Sequence, residues 1–253
     1  MKMLSVENLR VSVDSKSILE GVNIDIDVGD IDFLLGPNGS GKTSLAMAII
    51  GHPKYRIEAG RILFYGHDIT DLGIEKRVQL GITLTFQFAP EIKGITLREL
   101  ANEIAGRYAA SEDKVLEFAK ILELEDLMDR QINVGFSGGE RKRAEIFLTA
   151  LQSPKFVIFD EPDSGVDPDS IVLIGKAITR MMDYGLKGAL IITHTGFLSR
   201  YVNAKKAYVI MNGRIICYGP AKTLTSHILE FGFSMCEKRF RGEPYGFRLE
   251  GKI

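Results

Sequence analysis

No run of 18 or more apolar residues occurs in the 253-residue sequence, so the chain is not expected to cross a membrane by itself. Cysteine is scarce. Cys217 and Cys236 are too few for a disulfide framework, and alone they cannot supply the four thiolates of an iron–sulfur cluster. Neither sign of charge is in excess: 32 Lys and Arg offset 33 Asp and Glu, a formal net charge of −1, which argues against a protein that coats nucleic acid. The first residues, Met1-Lys2-Met3-Leu4-Ser5, lack an apolar core of secretory-signal length before charge returns at Glu7 and Arg10. Long Gly/Ser linkers, internal repeats and low-complexity tracts are missing. Histidine is sparse too, and His52, His67 and His227 have no Cys or His at metal-ligand spacing; they read as surface or turn residues. These absences leave a soluble cytoplasmic protein. With 45% hydrophobic and 26% charged residues, it can bury a substantial core.

The elements present alternate between two periods. Leu4, Val6, Val22, Ile24, Ile26 and Val28 alternate with polar residues, the period of half-buried strands. Ile31 to Leu35 is a continuous apolar strand that ends at Gly36, and a helix is expected from Lys42 to Ile50, stopped by Gly51. Further strands are expected at Arg61 to Tyr65 and Ile82 to Phe88. From about Pro90 to Ser153 the pattern is helical: Thr96 and Glu99 have capping-box spacing, and Val115, Phe118, Ala119 and Leu122 share a helix face. Strands return at Phe156 to Phe159 and Ala189 to Thr193, with a helix starting at Pro168 between them. Asn212-Gly213 joins Ala207–Met211 to Arg214–Tyr218 as a hairpin. The pattern is an α/β core interrupted by a helical insert.

Gly36-Pro37-Asn38-Gly39-Ser40-Gly41-Lys42-Thr43, followed by Ser44, fits G-x-x-x-x-G-K-[ST] between a strand and a helix. Glycines there let backbone amides turn inward around phosphate oxygens, Lys42 reaches the β- and γ-phosphates of ATP, and the Thr43 hydroxyl can ligate Mg²⁺. Phe156 to Phe159 ends in Asp160 and Glu161. A carboxylate at a strand's C-terminal end can hold Mg²⁺, and its neighbour can polarise the attacking water.

Three more pieces complete a pattern. Ser137-Gly138-Gly139-Glu140 opens a helix, Gln87 follows a strand, and His194 follows Leu190 to Thr193. Together with the phosphate loop and Asp160-Glu161, these resemble the signature motif, Q-loop and H-loop of ATP-binding cassette (ABC) ATPases, in the expected order. Ser164-Gly165-Val166-Asp167 resembles their D-loop. The resemblance covers residues 1 to about 225. It implies an α/β ABC ATPase head: a RecA-like P-loop core, an N-terminal antiparallel β subdomain and an inserted α-helical subdomain. The implied organisation is one domain, with 1–88 and 154–253 as core and β subdomain and about 89–153 as helical subdomain. It also implies an ATP-dependent homodimer of heads, with each ATP between Lys42 of one chain and Ser137, Gly138 and Gly139 of the other. Glu161, His194 and Gln87 would then be catalytic, and Thr43, Gln87 and Asp160 would hold Mg²⁺.

Within that family, transporter heads tend to stack an aromatic residue on adenine; Val13 stands at that place, and lost stacking should weaken adenine binding by about 1–3 kcal/mol. Transporters also usually read Glu-Pro-Thr-Ser, where this chain has Glu161-Pro162-Asp163-Ser164. These departures, with Gly51-His52-Pro53-Lys54-Tyr55, Phe86-Gln87-Phe88, Glu91 to Ile95 and Phe136 to Ile146, resemble the SufC ATPases of SUF iron–sulfur cluster assembly. That resemblance implies SufB/SufD-like soluble scaffold partners docked around Phe88 to Ile95. An ATP-binding subunit of a membrane transporter is the alternative. ABC proteins of DNA or ribosome work are a third reading, but no coiled-coil insertion, second cassette or basic arm is present. Lys142, in the signature helix, is expected to face Glu161 in the free subunit. Cys217 reads as a packed thiol. Cys236 lies among basic residues that could lower its pKa, but it too reads as inert.

Overall fold

The computed structural model describes residues 1–86, 89–234, 236 and 245–246. The early alternation folds into a hairpin of β1 (Lys2–Val13) and β2 (Lys16–Asp27), which buries Leu4, Val6, Val22, Ile24 and Ile26 on one face. After β3 (Ile31–Leu35) and α1 (Lys42–Ile50) come β4 (Arg56–Phe64) and β5 (His67–Asp68), which extend this sheet in the order β2-β1-β4-β5. The strand expected at Arg61 begins five residues earlier, because β1 runs far enough to pair Ser12 with Arg56.

Next follow α2 (Ile74–Gln79), β6 (Ile82–Thr85), α3 (Leu97–Tyr108), α4 (Glu112–Ile121), α5 (Gly138–Leu151), β7 (Phe156–Asp160), α6 (Pro168–Asp183), β8 (Gly188–Thr193), β9 (Lys206–Met211), β10 (Arg214–Pro220), α7 (Ala221–Phe231) and β11 (Tyr245–Gly246). The second sheet has the order β11-β10-β9-β3-β8-β7-β6; β3, β6, β7 and β8 run parallel to their neighbours in it, while β9 is parallel to β3 and antiparallel to β10. Its central strands are apolar without alternation because both faces are covered. Phe33, Leu35, Val157, Phe159 and Ile191 pack with the helical insert, α6 and α7. Leu34, Phe156, Ile158, Leu190 and Ile192 pack on α1 and the antiparallel sheet. The helices α3 to α5 all fall between β6 and β7, and both capping boxes, Thr96 with Glu99 and Ser137 with Glu140, are formed.

The fold buries two charged groups the sequence did not flag. Arg77 is 1% exposed and donates to the carbonyls of Ala48, Ile49, Thr70 and Leu72, which caps the C-terminal end of α1; burial pushes its pKa down to about 10. Asp32, inside β3, is fully buried. One of its oxygens accepts from the Lys206 amide at 2.9 Å and the other has no partner. Burial, aided by nearby Asp30, raises its pKa to about 7. A raised carboxyl pKa means the fold prefers the protonated form, so this stability is complete below about pH 4 and is lost as pH climbs to 7. Asp32→Asn keeps the acceptor and removes the charge. Its stability advantage over the parent should grow between pH 4 and 8 by up to roughly 4 kcal/mol, read by urea melts, and a pH-independent difference would refute the assignment.

At the other end of the chain, β11 adds to β10 in parallel register, with Cys217 opposite Tyr245. Cys217 and Cys236 are both buried, with their sulfurs 2.6 Å apart. The hydrogen bond between them raises the pKa of Cys217 and lowers that of Cys236. Among the described residues the lowering of the Cys236 pKa comes from the Cys217 thiol; the basic residues that follow it lie outside the described residues.

Candidate active site

Parallel strands carry their loops to one edge, and the site gathers there. Leu35 lies beside Thr193, Asp160 beside Ile192, and Thr85 beside Phe159. The residues following these ends are the phosphate loop, His194, Glu161 and the Q-loop. The loop before α1 curls over its own lysine: the buried Lys42 ammonium donates to the carbonyls of Gly36 at 2.8 Å and Pro37 at 3.0 Å. Asn38 and Gly39 are exposed above it. Gly41, the N-cap, has φ +107°, a conformation that strains any residue with a β-carbon, and such an atom would also meet the Leu19 side chain at 2.8 Å. It gives α1 no side-chain cap, which leaves the first amides and the positive helix end to an anionic ligand such as phosphate.

Beside the loop, Asp160 is 1% exposed and one of its oxygens has no partner. Burial raises its pKa, opposed by a hydrogen bond from the Thr43 hydroxyl. A buried, unpartnered carboxylate oxygen next to a hydroxyl is a hard-oxygen donor set that fits Mg²⁺, and a cation there would reverse the rise. Lys42 is affected in the opposite direction: burial lowers its pKa, while Glu161 and Asp160 pull it up. Glu161 is 5% exposed and left-handed at φ +50°, a conformation costing a non-glycine residue about 1–3 kcal/mol. Its amide donates to the Ile192 carbonyl at 2.9 Å, and one carboxylate oxygen lies 3.8 Å from the Lys42 ammonium and 3.2 Å from His194 Nδ1. A carboxylate and an imidazole are thus held together at the phosphate loop.

Gln87 and Phe88 lie outside the described residues. The strand before them ends at Thr85 rather than at Phe88, because the Phe86 amide donates to Glu145 and its carbonyl accepts from Lys142 at 2.7 Å. Lys142 also pairs with Glu145 at 3.5 Å. This corrects the expectation for Lys142: it holds the root of the Q-loop, while Glu161 pairs with Lys42. Ser137 caps α5, with its hydroxyl accepting from the Glu140 amide and its own amide donating to Glu140. Gly139 sits so close to Asp167 and Ser170 that a β-carbon would lie 2.5 Å from the Asp167 carboxylate. The signature turn is thereby packed on the segment that resembles the D-loop. Sequence reasoning missed the structural part played by Asp163, which is buried and accepts from the hydroxyls of Thr193 at 2.9 Å and Thr195 at 2.5 Å. Its departure from the usual Thr, and the threonines flanking His194, were the available signals. Among the described residues no cluster of His, Cys, Asp and Glu suits a metal bound by protein groups alone.

The phosphate loop, the level strand ends and the paired carboxylates define a P-loop nucleotide hydrolase. The ABC transporter family profile matches residues 19–164. A probable ABC transporter ATP-binding protein of Streptococcus pyogenes is 38% identical over 235 residues, spanning 89% of this chain and 91% of that protein. The probable ATP-dependent transporter SufC of Escherichia coli is 34% identical over 244 residues, spanning 91% and 97%. A solved ATP-binding cassette of an ABC transporter, in its ADP conformation, superposes with a TM-score of 0.77 at 28% identity, covering 96% of this chain and all of that one. The chain belongs to the ABC transporter family. It is a SufC-like ABC ATPase, with the β subdomain and helical subdomain of such heads.

Proposed function

We propose that this chain is the ATP-hydrolysing subunit of a cytoplasmic SUF-type iron–sulfur cluster assembly complex, which pairs with a second head on ATP and drives a change in SufB/SufD-like scaffold partners. In this reading Gly36 to Ser44 bind the triphosphate, with Lys42 on the β- and γ-phosphates. Thr43, Asp160 and Gln87 hold Mg²⁺, which, when bound, neutralises charge on the phosphate oxygens. Glu161 accepts a hydrogen bond from the attacking water and aims it, and His194 donates to the γ-phosphate. Ser137, Gly138 and Gly139 of the second head close the site with another helix N-terminus.

The observation that carries the partner reading is the loop from Pro90 to Ile95. Its backbone is strapped to the chain at Ile132: the Ile92 amide donates to the Ile132 carbonyl, and the Ile132 amide to the Ile95 carbonyl. Its apolar side chains are nevertheless exposed, Ile92 by 37% and Ile95 by 41%. A loop tied back at two backbone hydrogen bonds, with exposed isoleucines, suits a docked protein. Among the described residues no helix is long and apolar enough to cross a membrane. A transporter subunit remains the second reading, favoured by the likeness to the streptococcal protein.

The test is purification of the native complex without detergent. A soluble assembly with an ATPase rate above that of the isolated chain is expected; recovery only with an integral membrane protein would leave the transporter reading. Glu91 is tied to Arg141 at 2.7 Å, so its reversal would also disturb α5. Lys93→Glu and Ile95→Glu are cleaner probes, and each should weaken the complex by about tenfold.

A further inference from the structure

We propose that Asp163 is the positioning residue for His194. The inference rests on the reading of Glu161 and His194 as the groups that face the γ-phosphate. His194 sits on the loop after β8 with its ring one-third exposed, so packing alone does not fix it. Its two neighbours in sequence do. Both Thr193 and Thr195 donate their hydroxyls to the same oxygen of Asp163, at 2.9 and 2.5 Å. The Thr193 oxygen in turn accepts from the amides of Thr195 and Gly196, and the Thr195 oxygen from the amide of Phe197. The backbone on each side of His194 is therefore anchored to one buried carboxylate.

That carboxylate lies two residues beyond Glu161, on the same turn after β7. It ties the turn that presents Glu161 to the turn that presents His194, and the two functional side chains meet at 3.2 Å. A threonine at 163 would bring a neutral hydroxyl on a shorter side chain, whose hydrogen bonds to the two donors lack the charge assistance that a carboxylate oxygen gives. Asp163 makes no contact with the loop around Lys42 among the hydrogen bonds and ion pairs of the described residues. Its effect should therefore fall on turnover rather than on nucleotide binding.

The test is ATPase kinetics on Asp163→Ala, Asp163→Asn, Thr195→Val, His194→Ala and the double variant Asp163→Ala/His194→Ala, with thermal melts for each. Asp163→Ala should lower kcat by about 10–100-fold, the scale of a misplaced catalytic group, and leave KM for ATP within threefold. Asp163→Asn, which keeps the accepting oxygen, should recover most of that loss, and Thr195→Val should fall between. The double variant should be no slower than His194→Ala. The proposal is overturned if Asp163→Ala leaves kcat within twofold, or if it slows the His194→Ala protein by the same factor as the parent. It is also overturned if Asp163→Asn is as slow as Asp163→Ala. A His194→Ala protein with full activity would instead remove the underlying reading of His194. Should Asp163→Ala not fold, Thr195→Val carries the same comparison of kcat with KM.

Discussion

Glu161→Gln should bind ATP within a few-fold of the parent and turn it over about 10²–10⁴ times more slowly, the range for losing a general base. The substitution keeps the shape of a side chain buried between Lys42 and His194 and removes only its charge. Binding survives because the phosphate loop is formed by its own backbone around Lys42, through the carbonyls of Gly36 and Pro37. Losing the carboxylate also frees the Lys42 ammonium from a competing anion, so affinity should not fall. With hydrolysis slowed, the protein should accumulate in its ATP-bound, paired form. Rapid-quench ATPase assays and equilibrium nucleotide binding separate the two effects, and unchanged turnover would move the catalytic role to another residue.

Ser137→Arg should abolish ATP-dependent pairing and reduce hydrolysis by at least about 10²-fold, while the single chain still binds nucleotide. The scale is that of losing preorganised donors opposite the reacting phosphate. Ser137 and Gly138 are exposed at the start of α5, where a second chain's ATP would dock, and arginine there adds bulk and charge. The change also removes the cap on α5, worth about 0.5–2 kcal/mol, which would weaken the helix without blocking anything. Ser137→Ala loses the same cap without the bulk, so the difference between the two variants isolates the obstruction. Loss of nucleotide binding by the unpaired Ser137→Arg chain would mean that this turn acts on its own phosphate loop.

What was legible in the sequence is what short-range chemistry decides. The helix from Lys42 to Ile50 lies where its flanking glycines put it, and Asp167 before Pro168 caps α6 by accepting from the Ser170 amide. Asn212 and Gly213 take the paired positive φ values, 49° and 75°, that their hairpin requires. The helical insert was visible from the Thr96–Glu99 capping box, from the helix opening at Ser137 to Glu140 and from its apolar faces. The features that were not legible depend on groups far apart in the chain. Nothing near Arg77 indicates that it will be buried against four carbonyls, two of them at the end of a helix 28 residues earlier. Cys217 and Cys236 meet only because the chain after α7 returns to β10. Lys142 could be placed on its helix but not given its partner, because the choice between Glu161 and the Phe86–Glu145 pair is made by how β6 packs on α5. Asp163 was legible as an oddity of the motif, while its meaning lay thirty residues away, on either side of His194.

The most direct measurement is the mass of the Glu161→Gln protein in solution, by sedimentation velocity with saturating Mg-ATP and then with Mg-ADP. The chain weighs 28.1 kDa. A species of twice that mass with ATP, which reverts to one chain with ADP and does not form when Ser137→Arg is added, is the expected result. A single 28.1 kDa species under saturating ATP would contradict a site completed by a second head, as would pairing indifferent to both nucleotide and Ser137.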